Sequence, residues 1–451
     1  MEKLNLEALG GIADGLFDNT ELFRRAMDRL RAAAGGLLEL GPGVWATGPI
    51  ELFSGCTLSL AEGAVISFIP EPYRYRPVPS RWEGIECYAM HPCLFSSGQQ
   101  DVAIEGRGII DGNGSVWWSL FREKQAAGQY EPESETEKAL AMLNQGYGGQ
   151  PGGGGGRGTQ FLRPPAIQFF KCRNVKIRNI TVINSPFWSI HPVYCENLEI
   201  TGVTVRNPPD APNTDGIDID SCEGVLVADC TISVGDDGIA LKSGSGADGL
   251  RVNRPTRDVT VRNCTVGAGH GGIVIGSETA GGIHRVLTED CRFIGTDRGI
   301  RIKSRRGRGG EIADLVFRNL IMEDNLCPLT INMYYRCGAS PDDKQLFSLS
   351  PEPCGPGTPR IRNIHISGVR ACGCRASAGF IAGLPESPVE NLTIEDSLFC
   401  TSENGAGNAD ESEMYQGIPP VGVKSFRVLN AKEARFSGVQ VIGPLEPFIY
   451  H

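Results

Sequence analysis

From Asp101 to Asn391 the chain repeats one phrase of polar and apolar positions. A small polar residue or Gly opens it, apolar residues follow at every second place, and another Asn, Asp or Gly interrupts the run. The clearest copies read Asn174-Val175-x-Ile177-x-Asn179-Ile180-x-Val182 and Asn197-Leu198-x-Ile200-x-Gly202-Val203-x-Val205. Further copies start at Gly224, Asp258, Arg285, Asp314, Asn363 and Asn391, and an earlier one at Asp101. From Asn174 onward the starts lie 23, 27, 34, 27, 29, 49 and 28 residues apart, so the longest gap is expected to hold two turns. Period-two alternation predicts strand, and the Asn and Gly punctuation predicts turns. A repeat of this length with no helical spacing inside it predicts a parallel β-solenoid, hence an all-β fold.

Two stretches depart from the phrase. Residues 19–34 predict a helix that caps the open end of the solenoid. Asp18 with Glu21 resembles a capping box, Leu22, Ala26, Leu30 and Ala33 form an apolar stripe, and Gly35-Gly36 stops it. Residues 118–165 interrupt the repeat with a helical stretch, Glu131 to Leu143, and then five successive glycines. Because the repeat begins before this segment and resumes after it, the segment is expected to be an excursion. The whole chain, 1–451, is therefore expected to be one domain.

Composition sharpens the picture. Fifteen cysteines form an odd and irregular set, and Cys230, Cys264 and Cys291 share one position of the repeat. That predicts a stack of buried, reduced thiols. With no basic-then-apolar opening segment, it also gives the cytoplasm as the expected location. No apolar run approaches a membrane span, and a formal net charge of -10 argues against nucleic acid as a partner. Against that acidity, residues 298–308 hold Arg298, Arg301, Lys303, Arg305, Arg306 and Arg308 with no acid among them. A solvated charge run is the plain reading. The alternation Arg301-Ile302-Lys303 instead puts two cations on one face and Ile302 inside, which suits an anionic ligand carrying carboxylates.

Candidate chemistry lies nearby: Asn213-Thr214-Asp215, Gly235-Asp236-Asp237 and Gly269-His270-Gly271. Each alone is an ordinary turn sequence. In a solenoid, however, equivalent positions of successive coils stack about 4.8 Å apart, so such residues can meet on one face. Asp236 and Asp237 are adjacent, so they serve one site only if the backbone turns, which Gly235 would permit. Three crowded carboxyls would raise the pKa of at least one, and glycoside cleavage needs a protonated and an ionised carboxyl together.

In order and spacing, Asn213-Thr214-Asp215, Gly235-Asp236-Asp237, Gly269-His270-Gly271 and Arg301-Ile302-Lys303 resemble the four motifs of the polygalacturonases, glycoside hydrolase family 28. Asp14-Gly15 with Asp18-Asn19-Thr20, and Thr47-Gly48-Pro49-Ile50, resemble the opening of such pectin-degrading β-helices. Arg81-Trp82-Glu83-Gly84-Ile85-Glu86, Leu162-Arg163-Pro164 and Ile190-His191-Pro192 resemble a bacterial exo-acting branch. One departure is a longer stretch between Asp236 and His270, where residues 244–258 form an extra loop. The resemblance implies a right-handed parallel β-helix that hydrolyses α-1,4 bonds of oligogalacturonates with inversion. It implies Asp236 as general acid, Asp215 with Asp237 positioning the water, and His270 tuning the acid. Arg301, Lys303 and Asn213 would bind the sugar, with Arg163 and His191 as contacts at a closed end of the groove. No cofactor and no metal are implied, and a homo-oligomer is left open.

The two excursions further favour release of galacturonic acid from the non-reducing end. Endo cleavage and rhamnogalacturonan or xylogalacturonan hydrolysis remain alternatives within the family. Outside it stand a Ca²⁺-dependent pectate lyase and a non-catalytic sugar-binding β-helix, since one fold serves all of them.

Overall fold

The computed structural model describes residues 2–127, 132–145, 162–340, 342–402, 414–419 and 425–443, with the backbone of Ile449–Tyr450. The fold is all-β, a right-handed parallel β-helix, and the chain divides into two compact units. One comprises residues 1–82, 86–150 and 157–235; the other comprises 83–85, 151–156 and 236–451. No described helix is long and apolar enough to cross a membrane.

In the first unit the phrase becomes strands Arg173–Arg178, Glu196–Thr201 and Glu223–Ala228, paired in parallel. Val175, Leu198 and Val225 fall in register, as do Ile177, Ile200 and Val227, and all six are buried. Burying each such side chain contributes about 1.5–3 kcal/mol, so repetition of the phrase is what builds the core. The second unit repeats the device with strands Thr256–Arg262, Ile283–Glu289, Glu311–Arg318, Arg360–Ser367 and Val389–Glu395. There Val259, Val286, Leu315, Ile364 and Leu392 line up.

The polar residue that opens each copy has a backbone role. Asp101, Asn174 and Asn197 adopt left-handed φ values of 57°, 55° and 57°, a region Asn and Asp tolerate better than other side-chain-bearing residues. Their side chains also form a ladder. Asn174 Nδ2 donates to Asp101 Oδ1 at 2.9 Å, and Asn197 Nδ2 to Asn174 Oδ1 at 3.2 Å. Asn391, Asn363 and Asp314 do the same in the second unit.

Several expectations need correction. Strand Glu311–Arg318 pairs directly with Arg360–Ser367, so the 49-residue gap holds one coil and a long excursion over 333–359, not two turns. The cap helix runs Thr20–Ala32, but its buried face is Phe23, Ala26, Met27 and Leu30; Ala33 is exposed. The expected capping box is absent. Asp18 instead accepts from the backbone of Thr20, and Glu21 pairs with Arg24. The excursion after Asp111 contains helices Gly114–Ala127 and Glu135–Leu143, the second with a capping box between Ser134 and Glu137. The five glycines lie outside the described residues. The extra loop from 244 holds a helix, Gly246–Val252, and ends where strand Thr256–Arg262 begins.

All fifteen cysteines are reduced thiols outside any disulfide. Cys264 N donates to Cys291 Sγ at 3.5 Å. Cys195 N likewise donates to Cys222 Sγ at 3.2 Å, so thiols stack in both units.

Candidate active site

Three neighbouring strands of the second unit, Asp237–Lys242, Gly271–Gly276 and Arg298–Lys303, carry most of the candidate chemistry. Asp237 pairs with Gly271, Val274 with Arg301 and Gly276 with Lys303. As the alternation predicts, Ile302 is fully buried in the core while Arg301 and Lys303 share the other face. A side chain at Gly271 would meet Val274 Cγ2 at 2.5 Å, with Arg301 Cδ 3.3 Å away, so close packing against Val274 is the main reason for the glycine.

Asp237 is gripped from two sides. Arg301 Nη1 donates to its Oδ1 at 2.7 Å and Lys303 Nζ to its Oδ2 at 2.5 Å. All three side chains are nearly solvent-free. Burial opposes charge on Asp237, but Lys303, then Arg301 and Lys242, outweigh it and hold the carboxyl far below the usual range. With both oxygens engaged by cations, this carboxylate is a poor ligand for a metal ion.

Asp236 sits in a different setting. Its Oδ1 accepts from the backbone N–H of Asp237 at 2.9 Å and faces His270 Nδ1 at 3.2 Å. His270 N in turn donates to the Asp236 carbonyl at 2.8 Å, so backbone and side chain hold the pair together. His270 is about half exposed, with 48% of its side-chain surface accessible. Burial opposes ionisation of Asp236, yet the bond to His270 and its charge hold the carboxyl below its ordinary value. The same contact raises the His270 pKa. The expectation that crowding would raise a carboxyl therefore fails for Asp236 and Asp237, because nearby cations outweigh the like charge.

In the first unit, Asp215 is 3% exposed and its carbonyl accepts from Ser189 N at 2.8 Å. It ends a turn in which Asn213 has a left-handed φ of 55° and Thr214 Oγ1 donates to the Ala211 carbonyl. Gly235 is not needed for a left-handed backbone. Any side chain there would meet the Ala211 carbonyl at 2.4 Å, so close approach is the reason for glycine.

Arg163 and His191, expected to touch substrate, are 0% and 1% exposed and contact protein groups instead. Arg163 donates to the carbonyls of Pro186 and Pro212 and to Asn213 Oδ1. His191 faces Gln168 at 2.9 Å and Asp220 at 3.6 Å, and Asp220 also accepts from Arg81. The basic run also divides. Arg305, Arg306 and Arg308 turn away from Asp237 and bind the excursion carbonyls, Glu386 and Ser245.

Tyr335 escaped sequence reasoning. Its buried ring lies 5.6 Å from the Arg301 guanidinium and 5.3 Å from Lys303 Nζ, within cation–π range. Met414 Sδ lies 3.0 Å from Arg301 Nη2, and Glu278 contacts Lys242 at 3.4 Å. The available signal was register, because Asn332 pairs with Lys303 just before Tyr334-Tyr335. Chemically, the site offers one carboxylate locked in its ionised form. Beside it is a second that lies within hydrogen-bonding distance of an imidazole.

Residues 155–347 match the model of the glycosyl hydrolases of family 28. A probable polygalacturonase of Vitis vinifera is 33% identical over 71% of this chain and 60% of its own length. The chain thus spans under two thirds of that curated relative. An endo-polygalacturonase of Pectobacterium carotovorum is 28% identical over 65% of this chain and 66% of its own. Among solved structures, a hyperthermoactive exopolygalacturonase from Thermotoga maritima superposes with a TM-score of 0.79 at 29% identity, covering 98% of this chain and 92% of its own.

Proposed function

We infer that this chain is a family 28 glycosyl hydrolase and hydrolyses α-1,4 bonds between galacturonate residues. The observation that carries the reading is the Asp237 carboxylate gripped by Arg301 and Lys303, directly beside the Asp236–His270 pair. An acid held by a histidine and a base held by cations are the two partners that glycoside hydrolysis needs. In the free enzyme the contact lowers the Asp236 carboxyl and raises the His270 imidazole, which favours the proton on His270. Binding of sugar displaces water from Asp236, favours its neutral form and allows the proton to pass to it and on to the leaving oxygen. Asp215 and Asp237 act as the base pair that orients the attacking water, and the reaction inverts the anomeric centre. The remaining donors of Arg301 and Lys303, with Asn213, meet the sugar and its carboxylate.

For mode of attack we propose exo-cleavage, releasing galacturonic acid from the non-reducing end. The similarity to the Thermotoga enzyme along nearly the whole chain supports this, as do the helical excursion after Asp111 and the anchored segment 333–359. The Pectobacterium relative favours endo action, so the test separates the two. Product sizing on polygalacturonate should give monomer from the first minutes with little loss of viscosity. An early ladder of mid-length oligomers would refute exo action, and an unsaturated product absorbing in the ultraviolet would refute hydrolysis itself.

A further inference from the structure

Arg163 is one of the most deeply buried cations in the first unit, at 0% exposure. Its guanidinium lies 4.0 Å from the ring centre of Phe121 and 5.3 Å from that of Phe187. Phe187 itself is stacked between Trp82 at 3.9 Å and Trp188 at 4.9 Å. A planar cation fixed by aromatic faces has little freedom to turn, so its hydrogen bonds are fixed in direction as well. One terminal nitrogen donates to the Pro186 carbonyl at 2.9 Å and the Pro212 carbonyl at 3.2 Å; the other donates to Asn213 Oδ1 at 2.9 Å. One side chain thereby ties the loop before Ile190 to the turn that presents Asn213 and Asp215.

That turn needs such a tie. Asn213 holds a left-handed backbone, which Asn tolerates but does not by itself keep fixed in one conformation. The supports on the far side are weaker. Thr214 Oγ1 accepts from Gly235 N at 3.3 Å, and Asn207 Nδ2 reaches the Thr214 carbonyl at 3.4 Å.

We propose that Arg163 is a positioning residue: clamped between Phe121 and Phe187, it sets the conformation of the Asn213–Asp215 turn and so the placement of the Asp215 carboxylate. The inference rests on the hydrolase reading above and assigns the residue a role without substrate contact. Arg163 acts on the transition state through Asp215, so its loss should lower kcat more than it alters KM.

The test is steady-state kinetics on oligogalacturonates with Arg163→Lys, which keeps the charge and loses the fork. The expected result is a folded protein whose kcat falls on the order of 100-fold, with KM close to the parent's. Combining Arg163→Lys with Asn213→Ala should cost less than the product of the two separate losses, because both act through one turn. Parent-like kcat in folded Arg163→Lys would overturn the proposal, and so would a loss confined to KM. Should Arg163→Lys not fold, Phe121→Leu decides, since it frees the guanidinium while leaving every hydrogen-bonding group in place. It should lower kcat with KM held, and unchanged kcat would overturn the proposal. A parent enzyme inert on oligogalacturonates would instead sink the hydrolase reading.

Discussion

Strand Arg298–Lys303 and the turn that follows it carry the same kind of side chain and put it to opposite uses. In the strand, Arg301 and Lys303 share one buried carboxylate, Asp237. In the turn, Arg306 takes Glu386 with a two-pronged bond at 2.6 and 2.8 Å and adds the carbonyls of Leu346 and Ser348. Arg305 likewise donates to the carbonyls of Cys337 and Gly338. Charge density along the sequence is the same, and the partner decides the outcome. A strand's alternation aims cations at a fixed neighbour two coils away, whereas a turn leaves them free to gather loop carbonyls. The first arrangement sets the charge state of a buried carboxylate; the second fastens an excursion.

The sharpest way to break this contrast is Asp237→Asn, which leaves Arg301 and Lys303 buried without their carboxylate. Activity on polygalacturonate should fall by about 10² to 10⁴-fold. Denaturant unfolding should show a loss of about 3–5 kcal/mol, the usual result of orphaning a buried charge. A stable and active Asp237→Asn protein would contradict the role given to the strand.

Lys303→Met is the next largest. One of two cations remains, so kcat/KM should drop by about 2–5 kcal/mol of transition-state stabilisation. The Asp237 carboxyl, now held down less firmly, should rise. A lowered carboxyl stabilises the fold above its unfolded pKa, and that stability is lost as pH falls through the folded value. In Lys303→Met the acid-side loss should therefore begin at higher pH than in the parent, which pH-dependent unfolding will register.

Arg306→Met tests the other half. Because its partners are loop carbonyls and Glu386, it should lower stability by about 1–3 kcal/mol and leave the pH profile of activity in place. A shifted profile would mean that the two regions are coupled.

The smallest expected effect is on the alkaline side. His270 has a raised pKa through Asp236, so its contribution is fully present below the ordinary histidine value of 6.5 and declines as pH rises through the higher folded value. Rates should fall along that same limb, and His270→Gln should remove the limb. An unchanged alkaline limb in the variant would assign it to another group.

Much of this was legible in the sequence, for identifiable reasons. Asn174, Asn197 and Asn363 announced their coils because a left-handed corner restricts residue choice. Val175 and Ile177 announced the core because strand alternation is local. The motifs around Asp236, His270 and Arg301 could be joined because the coil period brings them into register. What escaped depends on partners distant in sequence. Nothing near Arg306 points to Glu386, and nothing near Arg163 points to Phe121. The 49-residue gap misled because spacing alone cannot distinguish two short coils from one coil with a long corner. The cap helix was found, but its buried face was misread: Phe23 and Met27 pack inward because of what the helix covers.

That long corner also bears on how such a fold can take on new loops. Strands Glu311–Arg318 and Arg360–Ser367 keep full register across the 333–359 excursion, just as Ile283–Glu289 and Glu311–Arg318 do across a shorter connection. Closing a flexible loop becomes harder only with the logarithm of its length, by about 0.6 kcal/mol per doubling. A coil can therefore accept a large graft at this corner for less than the loss of one buried leucine. The excursion is then free to change in length and sequence while the stack beneath it stays in place.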